Sequence, residues 1–175
     1  MTKGQTSAGS QPAPRKGLYT PEERARRDAS PWTIVQGVLA PLQFLVFLVS
    51  LALVLRFLWT GDGYAAATVS IIIKTGVLYL IMVTGAIWEK VVFGQYLFAP
   101  AFFWEDVFSF AVIALHTAYL VALVTHSLSP TALMLLALAA YGTYVVNAGQ
   151  FLWKLRMARL QAESDARPLP QGVSA

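Results

Sequence analysis

Glu105 and Asp106 stand side by side directly after Phe102-Phe103-Trp104. Two acids that close, in an aromatic and poorly hydrated setting, invite one to keep its proton, and a protonated carboxyl beside an ionised one is what general acid and base chemistry requires. The same two residues also suit a structural role. They fall in the early turns of a helix opened by Pro100, where acids are favoured by the helix dipole, and Lys90 is available to pair with either one. Glu89, next to Lys90, reads as an interfacial charge and as the third carboxyl open to acid or base work.

Two further ionisable residues are expected deeper in the molecule. His116 follows Glu105 by eleven residues, about three helical turns, so it shares nearly the same face roughly 16 Å further along. Lys74 lies roughly 22 Å from Glu89 on its own segment by the same rise. Their depths match, and the two are expected to meet in the interior. His116 reads either as a histidine bonded to a neighbouring helix or as an axial ligand for the metal of a flat pigment. His126 reads as a surface residue, and Arg56 as a side chain that snorkels to an interface. Gln36 and Gln43 are seven residues apart and share a helix face near Pro41, which should kink that helix and free a carbonyl. Asn147 and Gln150 form a similar pair, with Tyr144 one turn deeper. Such amides most simply make hydrogen bonds between helices, and alternatively contact a ligand.

The elements that carry these residues are apolar enough to need lipid as their solvent. The 175 residues are 57% hydrophobic and 13% charged, with a mean hydropathy of +0.57, which points to one integral membrane domain. Four apolar segments at about 32–58, 64–90, 101–126 and 130–153 each approach the roughly 20 residues that span a bilayer. Ser30-Pro31 opens the first and Ser129-Pro130 the fourth, each a capping residue followed by a proline whose missing N–H costs nothing. Thr60-Gly-Asp-Gly separates the first two segments. The longer link at 93–100 is aromatic and uncharged, and with Trp88, Tyr96 and Trp104 it fits an interfacial belt. The expected fold is therefore all-α: a bundle of about four transmembrane helices over 31–153. A tail over 1–30 ends in a short surface helix capped by Thr20-Pro21, and a second tail covers 154–175. Residues 1–17 read as disordered, and without an apolar core in the first thirty residues the first membrane helix should serve as its own insertion signal.

The formal charge is +4 with pI near 9.5, and of the thirteen Lys and Arg all but Arg56, Lys74 and Lys90 lie in the two tails. That distribution argues for topology signals and lipid headgroup contacts, not for nucleic acid. Arg24, Arg26 and Arg27 before the first span, with Lys154, Arg156 and Arg159 after the fourth, place both ends in the cytoplasm by the positive-inside rule. Gln36, Gln43, Glu89, Lys90, Glu105, Asp106, Asn147 and Gln150 then all fall in the cytoplasmic half, and the binding surface should open there. The absence of cysteine excludes disulfides, thiolate metal sites and a Cys nucleophile. No glycine-rich phosphate loop, HExxH, nucleophile elbow or two-His cluster is present. The intramembrane charges form no continuous polar path, which disfavours a transporter component.

Four strings of residues go further. The run Tyr19-Thr-Pro-Glu-Glu-Arg-Ala-Arg-Arg-Asp-Ala-Ser-Pro-Trp, continuing through Gln36 and Gln43, closely resembles the 3-vinyl (bacterio)chlorophyllide hydratases of phototrophic bacteria. So do Gly85-Ala-Ile-Trp-Glu-Lys-Val-Val-Phe-Gly, Phe98-Ala-Pro-Ala-Phe-Phe-Trp-Glu-Asp-Val-Phe-Ser and His116-Thr-Ala-Tyr, and the similarity covers about residues 18 to 160. The resemblance implies a hydro-lyase of bacteriochlorophyll synthesis that needs no cofactor. It would add water to the C3 vinyl group of chlorophyllide a or a related magnesium tetrapyrrole to give the 3-(1-hydroxyethyl) product. A multi-pass protein of the bacterial inner or intracytoplasmic photosynthetic membrane, in contact with lipid and with other enzymes of that synthesis, is the implied setting. The family brings no assigned catalytic residues, so the roles rest on chemistry. Glu105 is the expected acid, with Asp106 second and Glu89 or the remaining carboxylate as base. His116 would sit on the pigment magnesium and Lys90 on its propionate. Trp88, Trp104, Tyr119, Gln36, Gln43 and Asn147 would line the macrocycle. A pigment-binding or assembly subunit without catalysis is the alternative, since it would need the same pocket but no proton donor.

Overall fold

The computed structural model describes residues 18–165, all helical apart from short links. The expectation of disorder over 1–17 lies outside the described residues, as does the tail beyond 165. Thr20 caps α1 (Pro21–Ala29) in a complete capping box: its hydroxyl accepts from the Glu23 N–H at 3.2 Å, and the Glu23 carboxylate accepts from the Thr20 N–H at 2.8 Å. Ser30 then ends α1 and caps α2 (Pro31–Thr60), accepting from the Trp32 N–H. α2 runs unbroken through Pro41, one helix of 30 residues.

Tight links follow from the glycines that the sequence supplies. Gly61 takes a left-handed φ of 79° to end α2, and Gly94 takes 84° to end α3 (Tyr64–Phe93). α4 (Phe103–Val124) closes differently. His126 adopts φ 51° and the Ser127 N–H reaches back to the Ala122 carbonyl, a Schellman-type ending with a non-glycine residue. His126 is exposed there, as a surface residue should be. The last helix, α5 (Pro130–Asp165), opens with Ser129 accepting from the Ala132 N–H. It runs twelve residues past the boundary expected at 153. The apolar pattern stops near that point, but Lys154-Leu-Arg-Met-Ala-Arg-Leu-Gln-Ala-Glu is composed of strong helix formers, so the backbone continues.

α2 to α5 are all long and apolar enough to cross a membrane. They alternate in direction and pack as two hairpins, α2 with α3 and α4 with α5, which meet more sparsely along α2–α5 and α3–α4. Large apolar side chains such as Ile34, Leu45, Val83, Val124 and Leu135 face outward on every span, as they do when hydrocarbon replaces water. Inside, Phe47, Val54, Ile71, Leu78, Val112, Tyr119, Met134 and Tyr141 form the main core. A second cluster of Tyr19, Val92, Ala101 and Phe102, backed by Trp88, Phe93 and Phe151, closes the end that carries α1. Arg26 fastens α1 to that end by donating from Nε to the Val92 carbonyl at 2.8 Å. Burial pushes the Tyr19 phenol above its ordinary value, opposed by the Arg27 guanidinium lying 4.7 Å over its ring. Because the number of spans is even, the residues before α2 and those at the end of α5 share one side of the bundle.

Candidate functional site

Three carboxyl groups converge beneath the aromatic cap. Glu89 comes from the last turns of α3, and Glu105 and Asp106 from the first turn of α4. All three are buried. The link between the two helices folds back over them and supplies main-chain donors: the Phe98 N–H donates to Asp106 Oδ2 at 2.6 Å, and the Ala99 N–H to Glu89 Oε2 at 3.2 Å. Phe98 holds a left-handed φ of 59° at that point, an uncommon conformation for a residue with a side chain. Its ring stacks on Phe110. The Glu89 and Asp106 carboxyls lie close enough to interact directly, with Glu105 nearby. Two carboxyl groups buried together favour keeping a proton on one of them over ionising both.

Glu105 is held differently. Lys154 of α5 donates to Glu105 Oε2 at 2.7 Å, also donates to the Ala101 carbonyl, and lies over the Phe102 ring. The expected partner was Lys90. Instead, Lys90 is exposed, donates to the Gly94 carbonyl at 2.7 Å and stands 5.3 Å over Tyr96. It lies on the outer side of α3, and the geometry that brings Lys154 inward is the last helix packing along α4. Nothing local to Glu105 signals a lysine 49 positions later. Glu89 also departs from its expected role as an interfacial charge, because the folded-back link covers it.

The remaining residues divide into three groups. Trp88 is half-buried, donates from Nε1 to the Thr33 hydroxyl at 2.9 Å and meets Phe93 and Phe102 edge-on, so it belongs to the cap. Trp104 and Tyr96 are exposed on the outer surface, and Trp104 meets only Phe103 among the ring contacts of the described residues. Gln36 bridges α2 to α3 through Thr84 at 2.8 Å. Asn147 donates to Ser109 at 2.8 Å, which ties α5 to α4. Gln43 is buried, and neither of its amide atoms has a partner.

Lys74 and His116 meet at mid-bundle as their depths suggested, with Lys74 Nζ 3.0 Å from His116 Nε2. The other ring nitrogen, Nδ1, bonds the Val112 carbonyl at 2.8 Å. Both nitrogens are therefore engaged, and the Nε2 lone pair that would ligate a magnesium accepts from the ammonium instead. Tyr144, Tyr141 and Phe47 surround the lysine, with ring centroids 4.2, 5.0 and 5.9 Å from Nζ. Tyr119 is wholly buried nearby, and its hydroxyl has no hydrogen-bond partner. Among the described residues no group of three His, Cys, Asp or Glu side chains is arranged to hold a metal ion.

The site's chemical capacity is thus two neighbouring buried carboxyls next to a lysine-bound carboxylate, roofed by aromatic rings. A sequence profile described as 2-vinyl bacteriochlorophyllide hydratase matches residues 19–157. The chain is 76% identical over 151 residues to a 2-vinyl bacteriochlorophyllide hydratase of Rhodobacter capsulatus, covering 86% of this chain and 88% of that one. It is 74% identical over 155 residues to the protein of the same name from Cereibacter sphaeroides, covering 87% and 94%. No solved structure matches the chain.

Proposed function

The chain belongs to the 2-vinyl bacteriochlorophyllide hydratase family and is a multi-pass hydro-lyase of bacteriochlorophyll synthesis, and from that premise we propose that it hydrates the vinyl group of chlorophyllide a. The product is the 3-(1-hydroxyethyl) pigment. The observation that carries the mechanism is the contrast between two neighbouring carboxyls, Glu89 and Asp106, each accepting from a main-chain N–H, and an ion-paired Glu105.

Water does not add to an isolated vinyl group at neutral pH, but this one is conjugated to an electron-rich macrocycle. The Glu89–Asp106 pair gives its proton to the terminal carbon, and the π bond supplies the electrons for the new C–H bond. Positive charge appears on the inner carbon and spreads into the ring. Water attacks there, which yields a secondary alcohol. Glu105, ion-paired with Lys154, takes the proton that the attacking water loses. Returning that proton to the pair resets the site, and the balance is the gain of one water. The roles differ from the expectation that made Glu105 the acid, because a carboxylate bound to an ammonium suits a base better than a donor.

The aromatic cap of Trp88, Phe93 and Phe102 supports a flat, apolar substrate. Lys90, exposed at the same end, suits the pigment's propionate, while Trp104 and Tyr96 suit the lipid interface of a photosynthetic membrane. His116 belongs to the interior support of the site and not to the pigment's magnesium. Both chain ends lie on the cytoplasmic side by their Arg and Lys content. Purified protein incubated with chlorophyllide a should convert it to a product heavier by one water, followed by chromatography and mass. Pigment recovered unchanged, yet bound, would overturn the proposal in favour of a carrier.

A further inference from the structure

Buried amide groups without partners are rare in folded proteins, and rarer where lipid replaces water around them. This bundle holds a cluster of them. Gln43 Nε2 and Oε1, Asn147 Oδ1 and Gln150 Oε1 are all buried with no hydrogen-bond partner. Gln43 itself is 2% exposed.

The register of α2 against α5 brings these groups together. Ser50 bonds Tyr141 at 2.5 Å, and the Phe47 ring packs 4.9 Å from that of Tyr144. One further turn along the same antiparallel pair sets Gln43 opposite Asn147 and Ala148, and Gln150 follows Asn147 on the same face. Asn147 is tied to Ser109 of α4, and Ser109 is the residue one turn, about 6 Å, beyond Glu105. By this register the amides lie close together where α2, α4 and α5 meet, just inside the carboxyl cluster.

We propose that Gln43, Asn147 and Gln150 hold the water molecule that adds to the pigment, one helical turn from the carboxylate that deprotonates it. This rests on the hydratase mechanism above and names the binding site of its second substrate. The chemistry of the orphaned atoms selects water over the pigment's own groups. Three carbonyl oxygens and one amide NH2 ask for a ligand that both donates and accepts. A keto or ester oxygen of the macrocycle would satisfy the NH2 alone and leave three acceptors unpaired, whereas water has two hydrogens and two lone pairs, and buried waters characteristically make about three such bonds. In an apolar bundle that step is needed, because the nucleophile must be stored where bulk water does not reach. During turnover the water oxygen forms the bond to the inner vinyl carbon, and one of its O–H bonds breaks toward Glu105.

The test uses the intact membrane protein in two ways. In wild-type protein with 15N-labelled glutamine, magnetisation transfer from water to the Gln43 side-chain NH2 should be direct; its absence overturns the assignment whether or not the protein hydrates chlorophyllide a. In the assay with chlorophyllide a, Gln43→Leu should lower kcat by about tenfold or more, as loss of a positioned reactant does, with KM and the bound-pigment spectrum unchanged. Gln43→Ala, which opens the space, should let added methanol compete, raising the ratio of 1-methoxyethyl to 1-hydroxyethyl product above that of wild type. A raised KM at constant kcat would mean that the amides bind pigment, and the proposal would fall. Unchanged kcat and an unchanged methanol ratio would remove it as well. Wild-type protein that fails to hydrate chlorophyllide a would instead sink the underlying mechanism, while the labelling result still stands or falls alone.

Discussion

The carboxyl cluster beneath the cap and the Lys74–His116 contact at mid-bundle both place ionisable groups in the interior, and they do so in opposite ways. At mid-bundle the two basic groups are turned on each other: His116 has both nitrogens bonded, and three aromatic rings enclose Lys74. Beneath the cap there are more carboxyls than cations, and part of their support comes from two main-chain N–H groups of a link rather than from a helix. A closed polar contact of the first kind specifies how helices pack. A set of acids with a proton to spare is equipped to exchange it. Burial of a charge alone therefore does not mark a membrane site; unfilled hydrogen-bonding capacity does.

The comparison breaks most visibly at Asp106. Asp106→Asn keeps the shape and the Phe98 contact but removes the carboxyl, so turnover should fall about 10²–10⁴-fold, the usual worth of a general acid, while pigment still binds. Glu89→Gln should behave alike; near-normal rates in both would relocate the acid. Next comes Lys154→Met, which strands Glu105 as a buried carboxylate. Thermal unfolding in detergent should show a loss of about 1–3 kcal/mol, and Lys154→Arg should recover most of it. Lys74→Met tests the other region. It leaves His116 Nε2 without its donor, so stability should drop by a similar 1–3 kcal/mol, with the KM for chlorophyllide a and the product unchanged. A catalytic collapse there would erase the distinction between the two regions. The smallest effect is expected at Ser50→Ala, where loss of the two bonds to Tyr141 and Ser70 should cost about 1 kcal/mol, since interhelical hydrogen bonds in membranes average about 0.6 kcal/mol each.

Helix existence, direction and the caps at Thr20, Ser30 and Ser129 were legible in the sequence because each is a local property: an apolar run, a hydroxyl, a proline. So was the meeting of Lys74 with His116, which follows from the rise per residue in two antiparallel spans. The partners of the acids were not legible. Whether Lys90 or Lys154 reaches Glu105 depends on how α3 and α5 are rotated about their axes, and no local pattern encodes that. Glu89 looked interfacial because it sits near the end of its span, yet a link that turns back through Phe98 buries it. Gln43, with neither amide atom partnered, and Asn147, with its amide oxygen unpartnered, were visible as polar residues in apolar runs. Their lack of partners is a property of three helices at once.

The lysine that completes the carboxyl site has a consequence for the order of synthesis. Lys154 lies 49 residues after Glu105, on the final turns of the last span. During translation the α2–α3 hairpin, and then α4, are made while Glu105 still lacks its counter-ion. The site is thus sealed from the C-terminal side as the final act of assembly, and a chain that stops before Lys154 would carry all three acids yet have nothing to hold Glu105 in place.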